Sequence, residues 1–156
     1  MLWEFIAQHW ISGLVGIIGG ILAWVASNAF GKPLTDFWSD RREVLQTIEE
    51  HWRVSTTSSQ KRTEEALEHL RKASSILAAH DSANSIAINV YCWARCYDLA
   101  MASQLVRGIS AHIAEGYDVN EIRKNNMEAA RLKLGATRGM TKARRAELKK
   151  LVEEKR

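Results

Sequence analysis

The side chains able to do chemistry in this sequence are few and scattered. Cys92 and Cys96 stand four apart, which on a helix places both thiols on one face. A structural zinc takes four ligands, and neither a second Cys pair nor a His-x3-His arrangement accompanies them. No metal is therefore expected, and the pair reads as small apolar side chains in a reducing compartment. Nor is the spacing the Cys-x-x-Cys of a redox dithiol. The histidines His9, His51, His69, His80 and His112 include no metalloprotease pair, and no Gly-x-Ser-x-Gly elbow exists for them to serve. His69 and His80 lie about three turns apart and can share a helix face. Glu49 with Glu50 and Glu64 with Glu65 fall on polar faces among basic neighbours, where solubility accounts for them. The segment from Gly13 to Gly20 has the glycines of a nucleotide loop but sits inside an apolar run with no strand before it. No catalytic residue and no cofactor are expected.

What would position any function is a set of helices. The chain has 156 residues, 46% apolar and 26% charged, with one Pro and two Cys. That suffices for one domain with a core and excludes a disordered tail or a disulfide scaffold. The net charge of +4 is uneven: residues 131–156 hold 10 basic and 3 acidic side chains, whereas 1–130 hold 12 and 15. Positive charge is thus a C-terminal property, relevant to partners rather than to fold.

Between Glu4 and Lys32 lie 27 residues without a formal charge. A helix of that length spans about 40 Å, more than the hydrocarbon core of about 30 Å. Trp3 and Trp10 stand at one end, and Trp24, Phe30 and Trp38 at or beyond the other, as interfacial aromatic anchors would. Residues 1–31 are therefore expected to form a single transmembrane helix. Met1 to Phe5 contain no Lys or Arg and no small-x-small site follows Val25, so the run is expected to stay attached rather than be cleaved as a signal peptide. Lys32, Arg41 and Arg42 follow the run and no basic residue precedes it, which predicts an outside N-terminus and a cytoplasmic remainder at the cell membrane. Plotted as a helix, His9, Gly13, Gly16, Gly20, Ala23, Ser27 and Gly31 form one narrow small-residue stripe. Leu14, Ile17, Ile18, Ile21, Leu22, Trp24 and Val25 cover the rest. Small residues let helix backbones approach closely in lipid, so Gly13, Gly16, Gly20, Ala23 and Ser27 are the expected packing face.

Gly31-Lys-Pro33 predicts a kink or a fresh helix start, and residues 32–135 then read as a cytosolic helical domain. Leu34, Phe37, Trp38, Val44, Leu45, Ile48 and Trp52 recur at helical spacing, with Arg41 inside the stripe as a side chain snorkelling to headgroups. After the polar connector Ser55 to Gln60, the residues Ala66, Leu67, Leu70, Ala73, Ser74 and Leu77 mark a second helix, and Asp81 to Asn84 the next break. Residues 86–113 predict one long central helix, with Ile86, Val90, Trp93, Tyr97, Met101, Leu105 and Ile109 on its apolar face. Arg95 and Asp98 in its middle would each cost about 2.5 to 3.5 kcal/mol at a bilayer centre, which keeps this segment in water. Asp118 and Glu121 have the form of a capping box for a helix to Gly135, its apolar side being Ile122, Met127, Ala130 and Leu134. Residues 136–156 predict a basic tail, in part helical through Leu148, Leu151 and Val152. No strand or hairpin pattern appears.

The fold class expected is therefore all-α: one N-terminal transmembrane helix, an amphipathic helix leaving the membrane, and a small cytosolic bundle. Membrane lipids are the expected partners, together with a second copy or another membrane protein on the glycine stripe. Arg144, Arg145, Lys149 and Lys150 are the expected contacts to anionic lipid; nucleic acid is disfavoured because the tail lacks stacking aromatics. The functional expectation is a membrane-anchored scaffold or docking protein. Its rivals are a pore-forming effector, which the absence of charge in the membrane run disfavours, and a small helical enzyme completed by a partner.

Overall fold

The computed structural model describes residues 2–54, 58–83, 85–116 and 120–154, with backbone alone for 2–9, 11 and 12. Among them the chain is all-helical: α1 (Leu2–Ala26), a π turn (Ser27–Gly31), α2 (Lys32–His51), α3 (Gln60–Ser82), α4 (Ile86–Arg95), α5 (Leu99–Ala114), α6 (Asn120–Lys133) and α7 (Lys142–Glu154). The connector residues 55–57, Asn84 and the capping Asp118 lie outside the described residues.

The interruption expected at Gly31-Lys-Pro33 takes the form of the π turn, and α1 runs through it into α2. Pro33 occupies the first turn of α2, and the Lys32 amide reaches Ser27 O five residues back. Polar side chains cover carbonyls around the junction: Asn28 Nδ2 donates to Trp24 O at 2.9 Å and Thr35 Oγ1 to Gly31 O at 2.9 Å.

Helix α2 buries Phe37, Val44 and Ile48, and α3 buries Ala66, Leu70, Ala73, Ser74 and Leu77, the stripe the spacing predicts. The small residues on α3 bring α5 close enough for reciprocal bonds. Ser74 Oγ donates to Ser103 O at 3.2 Å and Ser103 Oγ to Ser74 O at 3.0 Å. Helix α5 is central, with Leu99, Met101, Ala102, Leu105, Val106, Ile109 and Ile113 buried over most of its circumference. On its far side Gly108 lets α6 approach, since a Cβ there would stand 3.1 Å from the Asn126 amide.

Two expectations are corrected. The segment 86–113 is not one helix: Cys96 takes a left-handed conformation (φ 54) that ends α4, and Asp98 Oδ1 accepts the Met101 amide at 3.0 Å to cap α5. The charged pair thought to lie mid-helix flanks a corner. In α6 the inward register includes Arg123, Asn126, Met127 and Ala130, while Ile122 faces out. Arg123 is 1% exposed; its guanidinium donates to Val54 O and to Asn120 Oδ1.

Residues 136–154 do not stand apart from the body. Thr141 caps α7 by accepting the Arg144 amide at 3.2 Å, and Leu148 and Val152 enter the common core.

Candidate functional site: the uncovered helix and its flanks

The described side chains of α1 cover nothing and are covered by nothing. Trp10, Leu14, Val15, Ile17, Ile18, Ile21, Leu22, Trp24 and Val25 are all exposed, and none of the apolar window is buried. The interior helix of a water-soluble domain would be mostly buried, so within this chain α1 is no core element. It is long and apolar enough to span a membrane. Trp10 and Phe30, both exposed, stand twenty residues apart, about 30 Å along a helix and so one hydrocarbon thickness. Trp24 lies between them, exposed. Trp38 is half-exposed on the body side, its ring 5.7 Å from Tyr91; the Trp3 side chain lies outside the described residues.

Gly13, Gly16, Gly20, Ala23 and Ser27 are exposed along the same rod. A Cβ built on Gly13, Gly16 or Gly20 would meet nothing within 4 Å, so the glycines fill no steric need inside the chain. Their absence of bulk is available to something outside it.

At the other end of the sequence the four cations separate into pairs. Arg144 Nε donates to Glu128 at 2.6 Å, and its guanidinium also meets Asn125 Oδ1 and, at 2.9 Å, Glu147. Hydrogen bonds to Glu147 and then Glu128 raise its pKa further. Arg145 donates to the carbonyls of Thr137 and Met140, at 3.2 and 3.1 Å. Arg144 thus ties α7 to α6 and Arg145 ties it to the connector that leads into it, while Lys149 and Lys150 are exposed.

Arg41 also plays a part other than the one its position suggested. Its Nε donates to Leu134 O at 2.8 Å and its guanidinium lies 5.3 Å from the Tyr97 ring centroid. Leu134 ends α6 in a Schellman motif, with Ala136 N bonded to Arg131 O at 2.7 Å and Gly135 N to Leu132 O at 3.0 Å. Arg41 takes a carbonyl that this motif leaves over, which nothing in the local sequence announces.

Helices α2 and α3 pair their histidines with partners inside the chain. His80 Nε2 meets Asp40 Oδ2 at 2.7 Å and its ring stands edge-on to Phe37, whereas His69 stacks on His51 with centroids 5.1 Å apart. The two histidines expected on one face thus meet different partners. Burial, with a smaller push from Asp81, raises the Cys92 thiol to about 11; Cys96 is exposed. Burial also raises Tyr97, against the opposing pull of Arg41. A cavity of about 220 Å³ beneath α7, lined by Leu105, Ile122, Asn125, Asn126, Ala129, Leu151 and Val152, contains no titratable side chain. Among the described residues no group of three or more His, Cys, Asp or Glu is placed to hold a metal.

The class defined by these features, among the described residues, is an all-helical protein with one uncovered, membrane-length apolar helix joined to a folded helical body. No protein family, curated protein or solved structure matches it.

Proposed function

We propose that the chain is a single-pass membrane protein whose helical body is a docking or scaffolding domain, and that α1 packs through its glycine stripe against a second copy or another membrane subunit. The observation that carries this reading is the apolar surface of the described side chains of α1, from Trp10 to Val25, left open by the rest of the molecule. Hydrocarbon is the solvent that suits such a surface, and small residues segregated to one side suit close helix contact within it. Lys32, Arg41 and Arg42 after the helix favour a cytoplasmic body and an outside N-terminus at the cell membrane. The reading assigns no catalysis to the chain.

Cross-linking in membranes tests it. Gly16→Ile combined with Gly20→Ile is expected to weaken the cross-linked ladder, because added bulk separates the backbones. The glycines touch nothing within the chain, so the loss would report a contact between helices rather than a damaged fold. An unchanged ladder would refute the packing face. Release of the full chain by alkaline carbonate would refute the anchor.

A further inference from the structure

Beyond the rod formed by α1, the π turn and α2, the exposed large apolar side chains among the described residues are Ile86, Val90, Trp93 and Ile122. Three of these four belong to α4, where they are 71%, 56% and 82% exposed. Spaced at i, i+4 and i+7, they form one face, while Ala87, Ile88 and Cys92 on the opposite side are buried in the body. A short helix that gives its smaller apolar residues to the core and its largest one, a tryptophan, to the outside is packed against something the chain does not supply.

The position of α4 says what that is. It packs against the π turn Ser27–Gly31 and against α2, with Tyr91 edge-on to Phe37 and Trp38 at 6.0 and 5.7 Å. The uncharged run of the rod ends at Gly31, and the charge that follows it is Lys32. The headgroup layer on each side of a bilayer is about 5 to 7 Å deep, which is about three to five residues of helix rise. A helix lying against residues 27–31 of a spanning rod therefore sits within or just below that layer. The neighbouring part of the rod carries the exposed Phe30 and the half-exposed Trp38, whose ring meets Tyr91 of α4, and Arg95, exposed at the end of α4 with its guanidinium 6.0 Å from the Tyr91 ring, adds a cation there.

We propose that α4 is a second membrane contact: an interfacial helix whose Ile86, Val90 and Trp93 face enters the boundary between headgroups and acyl chains beside the α1 anchor. The proposal rests on α1 spanning the bilayer. It gives the body one fixed attitude, held at two points, rather than leaving it to swing on a single stalk.

Full-length protein with Cys92→Ala and Cys96→Ser, spin-labelled at Val90→Cys or at Trp93→Cys, is reconstituted into phosphatidylcholine–phosphatidylglycerol vesicles. Collision with lipid-soluble oxygen is compared with collision with a water-soluble nickel chelate. Labels at Ile18→Cys in α1 and Glu68→Cys on the exposed side of α3 serve as references. Positions 90 and 93 are expected to favour oxygen severalfold, as 18 does, and 68 to favour nickel. Nickel-dominated collision at 90 and 93 would place the face in water, and low access to both reagents would place it under protein; either overturns the proposal while oxygen access at 18 keeps the anchor. Nickel access at 18 would remove the anchor and this inference with it.

Discussion

Tyr97 packs its ring where a side chain on Gly135 would have to go: a Cβ there would stand 2.2 Å from the ring, and the backbone is left-handed at φ 73. Gly135→Ala therefore combines a left-handed L-residue, costing about 1 to 2 kcal/mol, with overpacking worth about 1 to 3 kcal/mol. A loss of about 2 to 5 kcal/mol in urea unfolding is expected; a change under about half a kcal/mol would show that the ring moves aside freely. The same joint explains why Arg41 was only half legible. Its place inside an apolar stripe marked it as unusual, but its acceptor, Leu134 O, lies 93 residues away and is a backbone atom that no side-chain pattern records. Cys92 and Cys96 show the complementary case. Their helical spacing was legible, while the left-handed turn that exposes one and buries the other was not. Iodoacetamide near pH 8 is expected to modify Cys96 in folded protein and spare Cys92, whose thiol is raised to about 11. From the ordinary value of 9.0 up to about 11 the unfolded chain releases the Cys92 proton before the folded one does. That share of stability is intact below this window and is lost as pH rises through it. Cys92→Ala should flatten the fall in urea midpoint between pH 8 and 10.5, and an equally steep fall in the variant would refute the assignment.

Among the elements, α2, α3 and α7 could be read from spacing because an apolar stripe recurs along each, with Arg41 inside that of α2, and Thr141 supplies the cap of the last. The α4–α5 corner could not. Ile86, Val90, Trp93, Tyr97, Met101, Leu105 and Ile109 keep helical spacing straight across it, with no Gly or Pro to mark a stop. Asp98 offered a capping signal, but a capping residue inside a continuous stripe is outweighed by the stripe. Local Schellman bonds close α4, Cys96 N to Trp93 O at 3.1 Å and Tyr97 N to Cys92 O at 2.8 Å, and a tertiary tie fixes the corner to the end of α6: the Asp98 amide donates to Lys133 O at 3.1 Å and Lys133 Nζ meets Asp98 Oδ2 at 3.3 Å. Those bonds hold Cys96 in a conformation that costs an L-residue about 1 kcal/mol. Cys96→Gly is expected to stabilise the protein by about 0.5 to 1 kcal/mol in thermal or urea unfolding, because glycine enters that region without strain. A destabilised variant would mean that the Cys96 side chain does more than occupy the turn.

For the whole molecule, what matters is which charges the fold leaves free to meet a membrane. The sequence offers Arg144, Arg145, Lys149 and Lys150 as one cluster, yet the folded body spends the guanidinium groups of the first two on Glu128, Glu147 and backbone carbonyls. A lipid role, if α7 has one, belongs to the exposed Lys149 and Lys150, each worth about 1 kcal/mol near an anionic surface. In full-length protein reconstituted into vesicles, acylation of these two amines is expected to slow when anionic lipid is present. It should recover in high salt, since exposed charges are screened beyond about 10 Å at 0.1 M. Arg144→Gln should leave that lipid dependence in place and instead lower stability by about 1 to 2 kcal/mol, because it leaves the mostly covered Glu128 with a weaker partner. Equal acylation in neutral and anionic vesicles would remove lipid contact from the C-terminal helix. It would leave α7 with the role its burial already shows, closing the core through Leu148 and Val152.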